Sequence, residues 1–163
     1  MRPFLVWRDD WLLGFESLDG QHLELVEILN ELHRYLVHDG VSRHVDRGEL
    51  CRKLLHLLQM TRRHFEDEEA LMLTHDYAGV EEHHREHALL VAELHDCIRE
   101  IDTGHKPFTL ATLTALKHWQ IDHVINSDRE FADYLRRRLR PISEIPMSAK
   151  PDERSPQHQM QRR

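Results

Sequence analysis

The sequence predicts an all-α protein: an antiparallel up-down-up-down four-helix bundle with an N-terminal aromatic arm and a disordered C-terminal tail. Three observations predict it. Apolar residues recur at intervals of three and four over long stretches, and nowhere do they alternate as a strand would. Glycines at 14, 20, 40, 48, 79 and 104, with Pro107, punctuate those stretches. The connections between stretches are short, which favours antiparallel neighbours. The expected division is a bundle over 1–140 and a tail over 141–163.

The elements follow in order. An arm carrying Phe4, Trp7, Trp11 and Phe15 is too short for a domain and is expected to pack across an end of the bundle. The first helix is expected from Ser17–Asp19 to just before Asp39–Gly40, with Leu25, Val26, Leu29, Leu32 and Leu36 on one face. A second spans about Asp46 to Leu73, with Leu50, Leu54, Leu57, Leu58, Phe65 and Met72 inward. A third runs from about Gly79 to Thr103 through Val80, Leu90, Val91, Leu94, Ile98 and Ile101. Gly104 then suits a left-handed cap, and Pro107 bars continuation. The fourth covers about Thr109 to Leu139 and stops before Pro141, carrying Leu113, Leu116, Trp119, Val124, Phe131 and Leu135. The tail beyond it holds four of the six prolines and few apolar residues, too few to offset its chain entropy.

Composition excludes several function classes. At 163 residues one domain is expected, large enough to bury a core unaided. A net charge of −7 argues against nucleic acid, which is bound by basic faces. No run of about 18 apolar residues can span a membrane, and the N-terminus lacks the apolar core of a secretory signal. Cys51 and Cys97 form neither a disulfide framework nor a CxxC motif. A cytoplasmic monomer is the expectation. The anomaly is histidine, at 15 residues.

Extending each apolar stripe shows which histidines face inward. His22 lies one turn before Leu25 and Val26. His64 and Glu68 continue the second stripe at i and i+4, and His83 and His87 repeat that spacing on the third helix, where such residues share a face. His123 follows Leu116 by two turns. A buried imidazole or carboxylate without a partner is costly, and a metal ion satisfies such a set at once. His33, His38, His44, His56, His75, His84, His95, His105, His118 and His158 fall mostly on polar stretches, at helix ends or in the tail, and are expected at the surface. Glu81-x-x-His84 is the only ExxH in the chain, whereas ferritin-like sites use one on each of two helices. Periodicity leaves the second carboxylate open. Five residues of ideal helix turn roughly 500°, so Asp128 stands some 140° away from His123, and Glu130 is better aligned.

The segments Asp19-Gly-Gln-His22, His64-Phe-x-x-Glu68, His83-x-x-x-His87 and Trp119-x-x-x-His123-x-x-x-x-Asp128 resemble the ligand motifs of the hemerythrins, in particular the single-domain bacterial members. The resemblance runs from Trp7 to about Tyr134 and fills all seven ligand positions. It implies a four-helix bundle around two iron ions that binds dioxygen reversibly. His83, His87 and His123 would hold one iron and His22 and His64 the other. Glu68, Asp128 and an oxo or hydroxo group would bridge them, leaving one position vacant for dioxygen. Imidazole and carboxylate also suit zinc and manganese, so donor type alone does not name the metal.

Phe65, Trp119 and Gln120 are the expected pocket residues. Where the family usually has an aliphatic side chain three residues before the fourth-helix histidine, this chain has Gln120. Its amide either turns outward to solvent or reaches the pocket, where it would donate to the bound ligand or admit water. The implied role is an oxygen carrier, store or sensor rather than an enzyme, with an oxygen-consuming enzyme as a partner for delivery. The alternative is a di-iron enzyme with peroxidase, oxidase or nitric-oxide-handling activity at the same centre.

Overall fold

The computed structural model describes residues 2–42 and 45–139. A 3-10 turn, Asp9–Trp11, precedes α1 (Glu16–Ser42), α2 (Arg47–Thr74), α3 (Val80–Asp102), α4 (Leu110–His123) and α5 (Arg129–Leu139). A five-residue π turn, Val124–Asp128, joins α4 to α5 in one rod, so four rods form the bundle and the described residues contain no strand. The tail expected beyond 140 lies outside the described residues, as do His44 and His158. Among the described residues no helix is long and apolar enough to cross a membrane.

Local chemistry sets most boundaries. The Asp46 carboxylate accepts from the Glu49 N–H at 2.9 Å and starts α2. The Thr109 hydroxyl accepts from the Thr112 N–H at 3.2 Å and starts α4. Gly104 takes φ +75° just beyond α3, as a left-handed cap requires. At the other end Asp19 gathers three backbone donors, Leu13 N–H at 2.7 Å, Gly14 N–H at 2.9 Å and Phe15 N–H at 3.1 Å, fixing how the arm enters α1. One boundary differs from expectation. α1 runs through Gly40 to Ser42, because a glycine in a helix costs about 1 kcal/mol and does not by itself end it.

Two apolar regions sandwich a polar layer. The larger joins Leu25, Leu29 and Leu32 of α1, Leu50, Leu54 and Leu57 of α2, Leu94, Ile98 and Ile101 of α3, and Leu113 of α4. At the opposite end Leu13, Leu18, Val124 and Ala132 form one small cluster, and Met72, Phe131 and Leu135 another. Between these regions every rod carries histidine or carboxylate inward. The arm runs along α1 and the fourth rod, where Arg129 donates to the Asp10 carbonyl at 2.6 Å, and its last aromatic, Phe15, packs against both end clusters. The Asn30 side chain pairs with both backbone groups of Leu5, at 2.9 Å each, and Phe4 stacks on His33 with ring centroids 4.7 Å apart.

The fourth rod departs from ideal periodicity where the sequence left its question open. The Arg129 N–H bonds to the Val124 carbonyl, an i→i+5 closure that takes one extra residue into the turn. Asp128 thereby occupies the angular place that an i+4 residue has in a regular helix, on the face of His123. Glu130, better aligned on an ideal helix, is exposed.

Candidate metal centre

All seven expected ligands lie in the buried layer, none more than 5% exposed. α1 supplies His22, α2 His64 and Glu68, α3 His83 and His87, α4 His123, and the π turn Asp128. Their donor atoms form two groups, each within 4.8 Å: Glu68, His83, His87, His123 and Asp128 in one, His22, His64 and Asp128 in the other. Asp128 belongs to both. Its Oδ1 lies 2.9 Å from His123 Nε2 and 3.3 Å from His83 Nε2, and its Oδ2 3.2 Å from His22 Nε2. Glu68 Oε2 lies 3.3 Å from His83 Nε2 and 3.4 Å from His87 Nε2.

The donor set fits a cation. Neither oxygen of Glu68 nor either of Asp128 has a hydrogen-bond partner in good geometry, and neither has His83 Nε2. Buried carboxylates without donors are not tolerated unless something positive lies among them. The outer faces of two histidines, His64 and His87, are hydrogen-bonded, and that of a third, His123, faces a carboxylate without hydrogen-bond geometry. His64 Nδ1 lies 3.0 Å from Gln21 Oε1, whose orientation is set because Gln21 Nε2 donates to Asp67 at 2.6 Å. His87 Nδ1 lies 2.8 Å from Glu69 Oε1, and His123 Nδ1 3.1 Å from Glu86 Oε1. An Nδ1 proton held outward leaves the Nε2 lone pair facing inward, as a metal ligand needs. Accordingly His22 and His64 bring their Nε2 atoms within 3.0 Å, and His87 and His123 within 2.9 Å.

Electrostatics state the same demand. Burial and the charge of Asp128 oppose ionisation of Glu68, yet the imidazoles of His83 and His87 hold its carboxyl below the usual value. Burial likewise opposes Asp128, but the charge and close approach of His123, with His22 and His64, hold it well below the ordinary carboxylate range. Burial alone would lower His83; Asp128 and Glu68 overcome it and push the imidazole up to about 10. His123 moves upward for the same reason, with Glu86 adding to Asp128. Two buried carboxylates therefore draw positive charge into the layer, and the imidazoles are the only groups of the layer that can carry it as protons.

Similarity to known proteins agrees with this site. The family model described as the hemerythrin HHE cation-binding domain matches residues 13–135. The chain belongs to this family. A bacteriohemerythrin of Clostridium acetobutylicum is 26% identical over 129 residues, covering 78% of this chain and 98% of that protein. A myohemerythrin of Riftia pachyptila is 23% identical over 126 residues, covering 77% and 89%. The crystal structure of a wild-type hemerythrin has the same fold, with TM-score 0.70 at 22% identity over 80% of this chain and 96% of that one.

Of the expected pocket residues of this hemerythrin-family chain, Phe65 is buried and stacks on His87 at 3.6 Å between centroids. Trp119 is half-buried with its ring 6.4 Å from Phe65. Gln120 is 6% exposed and its Nε2 has no hydrogen-bond partner, so its amide is not turned outward to solvent. Sequence reasoning missed Gln21, Glu69 and Glu86, which lie against the outer nitrogens of ligand histidines, and Trp7, which stacks on His22 at 5.4 Å. Each of the first three is one residue away in sequence from a ligand, a proximity that could have marked them. His84, surface-exposed as expected, reaches the other oxygen of Glu69 at 2.9 Å.

Proposed function

We propose that the chain binds dioxygen reversibly at a pair of iron ions held by the buried layer. The observation that carries this reading is the unequal donor set around a shared Asp128: three imidazoles with Glu68 on one side, two imidazoles on the other. His83, His87 and His123 would hold one ion and His22 and His64 the other, with Glu68 and Asp128 bridging. The smaller set leaves room for an external ligand. When bound, the two irons supply the reversible electron exchange by which dioxygen is captured and given up.

The chain's own residues make such exchange reversible by keeping the layer dry and the imidazoles fixed. Phe65 covers His87 and Trp7 covers His22, so apolar rings close two faces of the layer against water. Gln21 and Glu69 hold the outer nitrogens of His64 and His87, which sets ring orientation and raises ligand basicity, and the carboxylate of Glu86 lies 3.1 Å from that of His123. Storage, delivery to an oxygen-consuming enzyme and sensing would all use this chemistry. One observation favours a second reading, a di-iron enzyme of oxidase or peroxidase type: the unpartnered amide of Gln120 brings a polar donor into the buried region one turn from His123.

Reconstitution with ferrous iron, followed by addition and removal of oxygen under a visible spectrometer, tests both. A charge-transfer band that appears with oxygen and fades on its removal is the expected result. Irreversible conversion to a stable ferric spectrum would favour the enzyme, and no oxygen-dependent band would remove both readings.

A further inference from the structure

We propose that an acidic cavity against His83 is the route by which divalent cations reach the centre. This rests on the cation centre proposed above and concerns how that centre is filled. The cavity, about 180 Å³, is lined by Tyr77, Glu82, Glu86, Ser127, Glu130 and His83, together with Gly79. No lysine or arginine lines it. Three other cavities on the molecule each carry two such cations, Arg62 and Arg63, Arg47 and Lys106, Arg52 and Lys53, against a single carboxylate in the first (Glu66) and the last (Glu31) and none in the second. A cation approaching the surface meets repulsion at those openings and attraction at this one.

The carboxylates form a graded path. Glu82 on α3 and Glu130 on α5 are exposed at the mouth. Deeper in, Glu86 takes a hydrogen bond from the Ser127 hydroxyl at 2.7 Å and points its other oxygen at His123 Nδ1, 3.1 Å away. The inner wall is His83, 5% exposed, whose Nε2 has no hydrogen-bond partner and lies 3.3 Å from both Glu68 Oε2 and Asp128 Oδ1. Hard divalent cations exchange water for carboxylate oxygen stepwise, and this path offers oxygens from solvent to the first imidazole. The negative field of the cavity is felt by Tyr77, whose phenol is pushed up by burial and then by the charge of Glu130. A cleft lined by one sign of charge raises the association rate of the opposite charge by about 10–1,000-fold, and does so less as salt is added.

The test is stopped-flow uptake of cobalt(II) by the metal-free full chain at neutral pH, followed by its visible absorption and by the final cobalt content. The Glu82→Gln/Glu130→Gln double variant is expected to load about tenfold more slowly at low ionic strength. The deficit should shrink near 0.5 M salt, and the final cobalt content should equal the parent's. A Glu24→Gln/Glu31→Gln variant, removing two exposed charges from α1, should load at the parent rate. Equal rates for the Glu82/Glu130 variant and the parent at low salt would overturn the route. A lower final cobalt content would also overturn it, since the two carboxylates would then belong to the bound set. Failure of the parent itself to take up cobalt would be a different result, removing the centre and the route with it.

Discussion

Beside the unpartnered indole N–H of Trp7, Gln120 is a residue of the buried layer's surroundings whose chemistry runs against reversible oxygen binding. Its amide is buried, its Nε2 lacks a partner, and a buried donor without an acceptor costs about 1–3 kcal/mol. Such a group gains from any water or anion brought next to it, and either would help convert an oxygenated centre to the ferric state. Gln120→Leu removes the donor while nearly conserving volume. The oxygenated variant is expected to autoxidise several-fold more slowly than the parent, and to unfold at an equal or higher temperature. Equal oxidation rates, followed by the decay of the visible band, would sink this role. The ligand histidines were legible at the same scale because each extends an apolar stripe. Gln21 and Glu69 were not, because a half-buried polar residue beside a ligand carries no periodic signal of its own. The orientation of Gln120 was undecidable for a related reason: α4 has almost no apolar asymmetry by which to tell its faces.

At the scale of the element, the π turn is what lets the fourth rod serve the site. The sequence marks the spans and main core faces of α2 and α3, whose stripes obey a 3.6-residue period. It failed to decide between Asp128 and Glu130 because that period breaks between His123 and Arg129. An i→i+5 turn is a regular helix with one residue added, so removing one residue should restore the regular helix without changing any face. Deletion of Asn126, which is exposed, is therefore expected to keep Asp128 on the His123 face and preserve metal content. Insertion of one alanine after Asn126 instead turns everything beyond it by about 100°. That carries Asp128, Phe131 and Leu135, all buried, off their faces, and loss of Phe131 packing alone costs about 3–5 kcal/mol. Helicity, melting temperature and bound metal per chain separate the two variants. A deletion as damaging as the insertion would show that the extra residue has a role of its own.

For the whole molecule, a charged layer between two apolar regions ties stability to pH and to metal in opposite ways. The carboxyls of Glu68 and Asp128 sit below their unfolded values of 4.5 and 3.8, so their contribution is present above those values and is lost as pH falls. His83 is raised from 6.5 to about 10, so its contribution is full below 6.5 and is lost as pH rises through about 10. The metal-free protein should therefore be most stable between about pH 4.5 and 6.5 and weaken on both sides. A bound cation changes the alkaline limb. It takes the place of the imidazole proton, so loading at neutral pH must expel that proton into solvent, and the loaded protein has none left to lose at pH 10. Thermal unfolding across pH with and without a chelator should show an alkaline decline only in the chelated protein. Titration of metal into weakly buffered protein at pH 7 should acidify it. A chelated protein whose melting temperature stays flat from pH 6 to 10 would mean that His83 carries no such proton, and that the two carboxylates are balanced by some other charge in the layer.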